Sequence, residues 1–423
     1  MKTTFFPAKL TGIVSAPASK SEAHRRMICA GLAEGESVLD GFMDSADMAA
    51  TMRCLHALGS EFERDGERLV IRGRKNKIAR KPVLDCGESG STLRFFVPIA
   101  LTLTQESVFR MHGHLSSRPM DVYRDLFVPR GVVWHMGVGA DGAAELTVSG
   151  KLDSGDYVLP GNVSSQFVSG LLFALPLLKG SSTLTVQPPV ESESYIRMTI
   201  EAITSSGITV EELAPFSWRI PGNQQYLSRS NRLNGDYSQA AVLLCADALG
   251  NDVTVKHLSA VTTQGDRAIL KHLTALGAEV YEDENGIRVT ANSLHGAVLD
   301  MHDCPDIAPI LALTAQFADG ESRLTHCGRL RLKECDRLAA TVETLNLLGG
   351  NAHADGDDIV LQGVKKLHGG VTLPKYGDHR MVMLASVAST RCAEPVTVEG
   401  VEAINKSWPE YLNVYQALGG KCE

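Results

Sequence analysis

No apolar run in this sequence reaches the length of about 20 residues that a membrane-spanning helix requires. The nearest candidate, VSGLLFALPLL, begins at Val168, contains Pro176 and ends before Lys179. The N-terminal residues MKTTFFPAKLTG do not have the pattern of a signal peptide. We therefore expect a soluble protein that neither spans nor binds a membrane.

Regular cysteine spacing is also missing. The nine cysteines are odd in number, scattered and without a CxxC pair. A disulfide framework or a cysteine-based metal site would need such spacing. We expect reduced thiols, a cytoplasmic location and no metal site.

An excess of positive charge is absent as well, because the formal net charge is −8. This balance argues against nucleic acid as the main partner. Any anion-binding site must then be a local concentration of cations in an acidic protein. With 44% hydrophobic and 21% charged residues the composition is that of a globular protein. A chain of 423 residues is too long for one ordinary core and predicts two or three domains.

What the sequence does contain is an internal repeat. One recurring element is a helical pattern that ends near Leu-Gly and is followed by two short strands with a polar turn. A second element is a loop of small polar residues that leads into an apolar helix. Copies of the loop start near residues 18, 86, 161, 235, 304 and 377, which places them about seventy residues apart. Six copies of such a unit fill the chain.

The last copy stops at LNVYQALGGKCE, where its hairpin should begin. The N-terminal residues FFPAKLTGIVSAP supply an extended segment that we expect to complete it. We predict two similar domains, residues 19–225 and residues 1–18 plus 234–423, with chain crossings near 18–19 and 222–234. The predicted fold class is α/β. Each domain is expected to hold three βαβαββ-type units, with buried helices inside and mixed sheets outside.

The small-polar loops have the composition of anion sites. The segments GESGST and GNVSSQF could cradle a phosphate with exposed N–H groups at the start of a helix. Taken singly, each is better explained as a capped helix start. Neither contains the lysine of a P-loop, which disfavours a nucleotide triphosphatase.

Cations stand where an isolated helix would repel them. The segment PASKSEAHRRM predicts a helix start, yet Lys20, Arg25 and Arg26 follow within two turns. In RLRLKECDRL, Lys333 and Arg337 form an i,i+4 pair of like charge that is unfavourable unless an anion or carboxylate lies between them. A solvated helix face is the other interpretation of that segment.

Three more segments carry isolated charges. YGDHRM places His379 and Arg380 at a predicted helix start, and SSRPM places Arg118 before a proline, hence in extended chain. INKSWPEY places Lys406 in a loop before the last helix. In CPDIAP, Asp306 is expected to cap a helix N-terminus.

Taken in order, ASKSEAHR, GESGSTLR, RP, VSSQF, ESYI, PDIAP, LKECDR, DHRM and NKSWPEY resemble the 5-enolpyruvylshikimate-3-phosphate (EPSP) synthase family over the whole chain. The resemblance implies transfer of the enolpyruvyl group of phosphoenolpyruvate to shikimate 3-phosphate. It also implies the inside-out α/β fold of the enolpyruvyl transferases, with two domains joined by a double crossing, in agreement with the repeat.

The resemblance also implies roles for individual residues. Lys20, Asp306 and Glu334 match the catalytic positions, and which of them carries each proton transfer stays open. Residues expected at phosphoenolpyruvate are Lys20, Gly90, Arg118, Lys333, Arg337, Arg380 and Lys406. Residues expected at shikimate 3-phosphate are Ser21, Arg25, Ser164, Ser165, Gln166, Ser192, Tyr195 and Asp306, with Arg329 and His379 as further substrate-binding positions.

The implied mechanism is addition followed by elimination. The methylene carbon of phosphoenolpyruvate is protonated, the 5-hydroxyl of shikimate 3-phosphate attacks, and phosphate leaves the tetrahedral intermediate. No metal or organic cofactor is expected, domain closure is expected, and the partners are the two small substrates of a monomer. Seven cations would face substrates that together carry roughly −5 to −6.

Two positions depart from the pattern of the family. Glu88 adds a negative charge to the glycine-rich loop, where it could pair with Arg94 or another cation, and Arg329 replaces an asparagine near the substrate phosphate. The sister transferase acting on UDP-N-acetylglucosamine is the main alternative, although HGHLSSRPM lacks the cysteine usual there. A phosphate-binding repeat scaffold and an RNA-end-processing enzyme are further alternatives.

Overall fold

A computed structural model describes residues 1–423, which divide into two compact units. Unit A comprises Ala18–Leu233, and unit B comprises Met1–Pro17 together with Asn234–Glu423. The α-helices are α1 Lys20–Leu32, α2 Ala46–Ala57, α3 Gly90–Leu103, α4 Asp121–Phe127, α5 Ser165–Ala174, α6 Glu193–Ser205, α7 Tyr237–Ala248, α8 Ala268–Ala275, α9 Ala308–Ala315, α10 Arg337–Leu347, α11 His379–Ser389 and α12 Tyr411–Ala417.

The strands are short and evenly distributed along the chain. They are β1 Lys2–Phe6, β2 Thr11–Ser15, β3 Gly35–Asp40, β4 Glu61–Asp65, β5 Arg68–Gly73, β6 Val83–Asp85, β7 Glu106–Met111, β8 Val133–Val138, β9 Ala144–Ser149, β10 Asp156–Pro160, β11 Ser182–Gln187, β12 Glu211–Ala214, β13 Ser217–Ile220, β14 Ser230–Arg232, β15 Asp252–Lys256, β16 Glu279–Asp283, β17 Gly286–Thr290, β18 Val298–Asp300, β19 Glu321–Thr325, β20 Ala352–Asp355, β21 Asp358–Gln362, β22 Val371–Leu373, β23 Val396–Glu399 and β24 Lys421–Cys422.

Six four-stranded sheets follow from these strands, three in each unit, and all are mixed. In the sheet β6-β7-β9-β8, for example, β6 and β7 are parallel, whereas β9 is antiparallel to both β7 and β8. The other sheets are β14-β3-β5-β4, β10-β11-β13-β12, β16-β17-β15-β2, β18-β19-β21-β20 and β22-β23-β1-β24. The sixfold repeat and the mixed α/β class predicted from the sequence are therefore confirmed.

Strands taken from distant parts of the chain complete three of these sheets. The N-terminal strand β1 pairs with β23, with Lys2 opposite Glu399, and with β24. This confirms that the N-terminus completes the last unit. Two further strands belong to a different unit from the helix that follows them in the chain. Strand β2 precedes α1 of unit A but pairs with β15 of unit B, and β14 precedes α7 of unit B but pairs with β3 of unit A. Each unit therefore receives one sheet edge from a segment where the chain passes between the units.

Glycine allows the turn that ends the helical part of the repeat. Gly277 and Gly349 follow α8 and α10 with φ of +93° and +91°. A side chain there would be strained and would press on His295 or His368. The two helices therefore end at the Leu-Gly positions of the repeat, each with a left-handed glycine directly after its C-cap leucine.

Three helices of unit B are buried on every side. Every residue of α7, α9 and α11 is buried, as expected for helices that are apolar over most of their surface. The one carboxylate within α7, Asp247, is satisfied because it accepts hydrogen bonds from the N–H groups of Val253 and Val289. No helix of the chain combines the length and the apolar character needed to cross a membrane.

Candidate active site

In unit A, Lys20, the first residue of α1, has a carboxylate partner. Ser19 caps α1 by accepting a hydrogen bond from the N–H of Glu22. The Lys20 Nζ lies 3.1 Å from Asp47 Oδ2, and Asp47 belongs to the first turn of α2. A cation is therefore tolerated at the positive end of α1 because a second helix supplies the compensating charge.

Arg25 is the most buried cation of unit A, with 2% of its surface exposed. Its guanidinium donates to the hydroxyl of Thr199 at 2.8 Å and to the carbonyl oxygens of Ser21 and Tyr195 at 2.7 and 3.0 Å. It also lies 5.3 Å from the ring centre of Phe95. Burial lowers the pKa of Arg25 to about 10. All three hydrogen-bond acceptors are neutral, so a bound anion would add the charge that this buried cation lacks.

Arg26, its neighbour, is engaged differently. Its guanidinium lies 3.4 Å from a carboxylate oxygen of Glu22 and 3.5 Å from one of Glu201. Arg26 is therefore an ordinary salt-bridged residue.

The glycine-rich loop brings Gly90 against Arg118. Ser89 caps α3, which begins at Gly90, and Arg118 lies in extended backbone as predicted. A Cβ atom on Gly90 would come within 2.4 Å of Arg118 Nη1, so the guanidinium packs directly on the backbone of the loop. The absence of a side chain at Gly90 is what allows this contact.

Gln166 connects the two predicted anion loops of unit A. Ser164 caps α5 and accepts from the N–H of Gln166. The amide of Gln166 donates to the Ser91 hydroxyl at 2.8 Å and accepts from Arg94 at 2.7 Å. Both loops are therefore capped helix starts that are also held together by side chains.

The remaining predicted positions of unit A lie at two helix starts. Ser165 is the first residue of α5 and is buried. Ser192 directly precedes α6 in a left-handed conformation with φ of 55°, and its carbonyl oxygen accepts from the N–H of Tyr195. A left-handed serine is uncommon and marks a backbone held by its surroundings.

In unit B the charged side chains gather around Asp306. Its Oδ1 accepts from Lys333 Nζ at 2.9 Å and from Arg337 Nη1 at 2.8 Å, and its Oδ2 lies 4.0 Å from Arg380 Nη2. Burial raises the pKa of Asp306, but the three cations outweigh it and hold the pKa well below its ordinary value of 3.8. The carboxylate is ionised at neutral pH.

Two predictions about these residues are wrong. Asp306 does not cap a helix, because it lies within the 3-10 helix Pro305–Ile307 and its carboxylate bonds to cations instead. Two cations take the place of the backbone N–H donor that a cap would use. Lys333 and Arg337 do not share a helix, because α10 begins at Arg337 after the Asp336 cap. A carboxylate does lie between the two cations, as their charges require.

Arg337 joins three carboxylates. Besides Asp306, it donates from Nη2 to Glu334 Oε2 at 2.7 Å and from Nε to Asp378 Oδ2 at 2.9 Å. The residue is 1% exposed, which excludes a solvated helix face. Burial lowers the pKa of Arg337, but Asp378, Glu334 and Asp306 outweigh it and raise the pKa. The two carboxylates expected to act as acid and base thus share one buried guanidinium.

The DHRM segment supplies a helix cap and a second buried arginine. Asp378 caps α11 by accepting from the N–H of Arg380, and the ring of His379 packs beside it, with Nδ1 3.8 Å from Asp378 Oδ1. Arg380 is 6% exposed and donates to the carbonyl oxygen and hydroxyl of Ser238. Hydrogen bonds therefore fix both the backbone N–H and the guanidinium of Arg380 in the first turn of α11.

Arg329 and Lys406 are the first and the last in sequence of the cations predicted to bind substrate in unit B. Burial lowers the pKa of Lys333, and the charges of Arg337 and Arg329 contribute to the lowering, while Asp306 opposes it. Lys406 ends the 3-10 helix Val401–Lys406 rather than lying in an open loop. The next residue, Ser407, accepts a hydrogen bond from Gln239 at 2.6 Å.

The charge count made from the sequence omitted the carboxylates. In unit A, Asp47 offsets one of the cations Lys20, Arg25 and Arg118. In unit B, Asp306, Glu334 and Asp378 offset three charges among Lys333, Arg337, Arg380 and Lys406. The net positive charge available to a ligand is therefore smaller than seven.

Sequence reasoning missed three residues that hold the cations. Asp47 and Ser238 contact Lys20 and Arg380 from 27 and 142 residues away, and no local pattern links them. Asp378 stands in a segment that the sequence did single out, but its bond to Arg337 depends on the packing of α10 on α11.

Comparison with known proteins agrees with this architecture. A sequence model of EPSP synthase (3-phosphoshikimate 1-carboxyvinyltransferase) matches residues 6–415. The 3-phosphoshikimate 1-carboxyvinyltransferase of Clostridium botulinum (strain Eklund 17B / Type B) is 38% identical over 421 residues, covering 98% of this chain and 96% of that protein. The enzyme of the same name from Clostridium kluyveri is 39% identical over 417 residues, covering 99% and 97%.

A solved structure shows the same fold. The EPSP synthase of Acinetobacter baumannii superposes with a TM-score of 0.80 at 24% identity, covering 100% of this chain and 99% of that one. The match to the family model over nearly the whole chain is independent of this likeness. The chain therefore belongs to the EPSP synthase family, the transferases that move the enolpyruvyl group of phosphoenolpyruvate to shikimate 3-phosphate in aromatic amino-acid biosynthesis.

Proposed function

We propose that this chain transfers the enolpyruvyl group of phosphoenolpyruvate to the 5-hydroxyl of shikimate 3-phosphate through the residues that the family resemblance indicates. The observation that carries the proposal is the arrangement around Arg337. Asp306 and Glu334, the two carboxylates of the expected acid–base chemistry, lie 2.8 and 2.7 Å from its guanidinium. Cations and proton-transfer groups in one buried cluster are what addition and elimination on a multiply charged anionic substrate require.

The shikimate 3-phosphate ligands are proposed from unit A and Asp306. Arg25 is a buried cation whose bonds go to neutral oxygens, so an anionic ligand would stabilise it. The hydroxyl and amide groups proposed with it are Ser21, Ser164, Ser165, Gln166, Ser192 and Tyr195. Asp306 would accept a hydrogen bond from the attacking 5-hydroxyl. Arg329 and His379 are proposed as further substrate-binding residues.

The phosphoenolpyruvate ligands are proposed to be cations and one glycine. Gly90 and Arg118 are in contact through the loop backbone, so the loop N–H groups and the guanidinium can bind the same anion. The other proposed ligands are Lys20, Lys333, Arg337, Arg380 and Lys406. They would stabilise the negative charge on the departing phosphate.

Proton transfer is proposed to depend on the cations around Asp306. In the free protein they keep its pKa low, which makes it a weak base. When the phosphate and carboxylate of phosphoenolpyruvate engage Lys333, Arg337 and Arg380, Asp306 loses part of that stabilisation and its pKa rises. The carboxylate then accepts the 5-hydroxyl proton as the oxygen attacks C2. We propose Glu334 and Lys20 for protonation of the methylene carbon and removal of a proton from the methyl group in the elimination.

A monomeric state and a cytoplasmic location are proposed with this activity. All nine cysteines are free, and seven of them are buried, which fits a reducing compartment.

The proposal is tested by measuring phosphate release with substrates supplied singly and together. Release is expected with phosphoenolpyruvate plus shikimate 3-phosphate and with neither alone, and mass spectrometry should show the enolpyruvyl ether in equal amount. UDP-N-acetylglucosamine replaces shikimate 3-phosphate in a parallel reaction. Release with the nucleotide sugar and none with shikimate 3-phosphate would assign the chain to the sister activity.

A further inference from the structure

The segment GDYSQAAV, which leads into α7, is the one small-polar segment to which no substrate contact is assigned. The other five hold Lys20, Gly90, Gln166, Asp306 and Arg380. We propose that Ser238 and Gln239, on the first turn of α7, are positioning residues that orient Arg380 and the Lys406 segment for phosphoenolpyruvate. This inference rests on the proposed function.

Ser238 holds the Arg380 guanidinium at two points. Its carbonyl oxygen accepts from Nη1 at 2.7 Å, and its hydroxyl accepts from Nη2 at 2.6 Å. Two bonds to one residue fix the rotation of the planar guanidinium. Ser238 is itself 6% exposed. The orientation of Arg380 is therefore set by α7 and not by its own helix alone.

Gln239, the next residue, holds the segment that carries Lys406. Its Nε2 donates to the hydroxyl of Ser407 at 2.6 Å, directly after Lys406. Gln239 is 2% exposed, and its Oε1 has no partner in the protein. An unpaired buried amide oxygen is unfavourable for stability. A buried glutamine that makes one side-chain bond is better explained by the placement of Ser407 than by a contribution to folding.

The backbone of this turn is not itself available to an anion. Asp236 Oδ1 accepts from the N–H groups of Ser238 and Gln239 at 2.8 and 3.1 Å. Gln264 Oε1 accepts from the N–H of Tyr237 at 3.0 Å. The first three N–H groups of α7 are thus occupied by side chains. This helix start acts through the Ser238 carbonyl oxygen and the side chains of Ser238 and Gln239, and the two caps, Asp236 and Gln264, hold the turn that carries them.

Steady-state kinetics of Ser238→Ala and Gln239→Met test the proposal. Each change removes one hydrogen bond and nearly preserves shape. We expect KM for phosphoenolpyruvate to rise roughly tenfold in Ser238→Ala, as for loss of a bond that holds a charged group, and about three- to tenfold in Gln239→Met, whose lost bond joins two neutral groups. KM for shikimate 3-phosphate should change less than about twofold, because Ser238 and Gln239 bond to Arg380 and Ser407 and to none of the ligands proposed for that substrate. Ser322→Ala and Gln316→Met serve as matched controls, since both residues are buried in unit B and their side chains bond to backbone groups of strands and hairpins. The controls should lower the thermal midpoint without changing the ratio of the two KM values.

A double-mutant cycle separates positioning from general loosening. In a protein that already carries Arg380→Met, adding Ser238→Ala should not lower kcat/KM for phosphoenolpyruvate further. Adding Gln239→Met to Lys406→Met should likewise leave kcat/KM for phosphoenolpyruvate unchanged. Additive losses, or a rise in both KM values like that of any destabilised variant, would overturn the positioning roles while wild-type transfer stands. No transfer by the wild-type chain would overturn the proposed function and this inference together.

Discussion

Replacing Arg337 by Met should destabilise unit B far more than the loss of an exposed arginine does. Arg337 is 1% exposed and bonds to Asp306, Glu334 and Asp378. Methionine keeps most of the volume but removes this guanidinium from Glu334 and Asp378, while Asp306 keeps Lys333 and Arg380 nearby. Removing one partner of a buried ion pair costs about 3–5 kcal/mol, because the remaining charge stays desolvated. At an m-value of about 2 kcal/mol/M this lowers the urea midpoint by about 2 M.

Arg323→Met is the matched control for this change. Arg323 also lies in unit B and bonds to two carboxylates, Asp355 and Asp358, both at 2.9 Å, but its side chain is 33% exposed. Exposed pairs contribute about 0–1 kcal/mol. Unfolding of unit B can be followed through Trp408 after Trp134 and Trp218, which lie in unit A, are replaced by Phe. The two variants then differ mainly in burial of the lost guanidinium.

The difference between wild type and Arg337→Met should depend on pH in a defined direction. The folded-state pKa of Asp306 is lowered, so its ion pairs contribute stability above its ordinary value of 3.8 and lose it as pH falls below that value. The gap in unfolding free energy should therefore be full at pH 7 and narrow below about pH 4. An Arg337→Met loss no larger than that of Arg323→Met, or a gap that widens on acidification, would refute the role assigned to the buried guanidinium.

Three further substitutions test the proposed site by steady-state kinetics. Glu334→Gln keeps a partner for Arg337 but cannot exchange a proton, so kcat should fall about 10²–10⁴-fold with both KM values within about threefold, and equal loss of affinity for both substrates contradicts a catalytic role. Arg25→Ala should raise KM for shikimate 3-phosphate about 10–100-fold. Arg26→Ala, which removes the neighbouring salt-bridged arginine, should change this KM less than about twofold, and similar effects of the two substitutions would count against Arg25 as a ligand. Gly90→Ala places a Cβ within 2.4 Å of Arg118 Nη1, so KM for phosphoenolpyruvate should rise about tenfold at an unchanged thermal midpoint, and an unchanged KM would mean that Arg118 does not bind that substrate.

The structure explains why a helix start can carry cations in this fold. Each unit builds its helix starts from loops of small polar residues whose side chains cap the first turn, as Ser19 and Asp378 do. The cations in the same turns are held by acceptors on other helices, such as Asp47 for Lys20 and Ser238 for Arg380. A cap is adjacent in sequence to the helix that it caps, so it could be predicted from the sequence. The partners of the cations are far away in sequence, so they could not.

Local sequence patterns were enough to predict the sixfold repeat, the hairpins, the capped helix starts and the cations near them. These features depend on short-range patterns: a glycine at a left-handed C-cap, a serine or aspartate before a helix, and apolar residues on most faces of a helix. The family resemblance added the substrates and the proposed role of each residue, which periodicity does not contain.

Which charged groups bond to each other depends on the packing of distant segments. Asp306 follows a proline and reads locally as a cap, yet it bonds to Lys333 and Arg337, 27 and 31 residues away. Asp378 reaches Arg337 across 41 residues, and Gln239 reaches Ser407 across 168. Coulomb energy between buried groups depends on distances of a few ångströms and on the exclusion of water. Both are set by how helices pack, which no local stretch of sequence encodes.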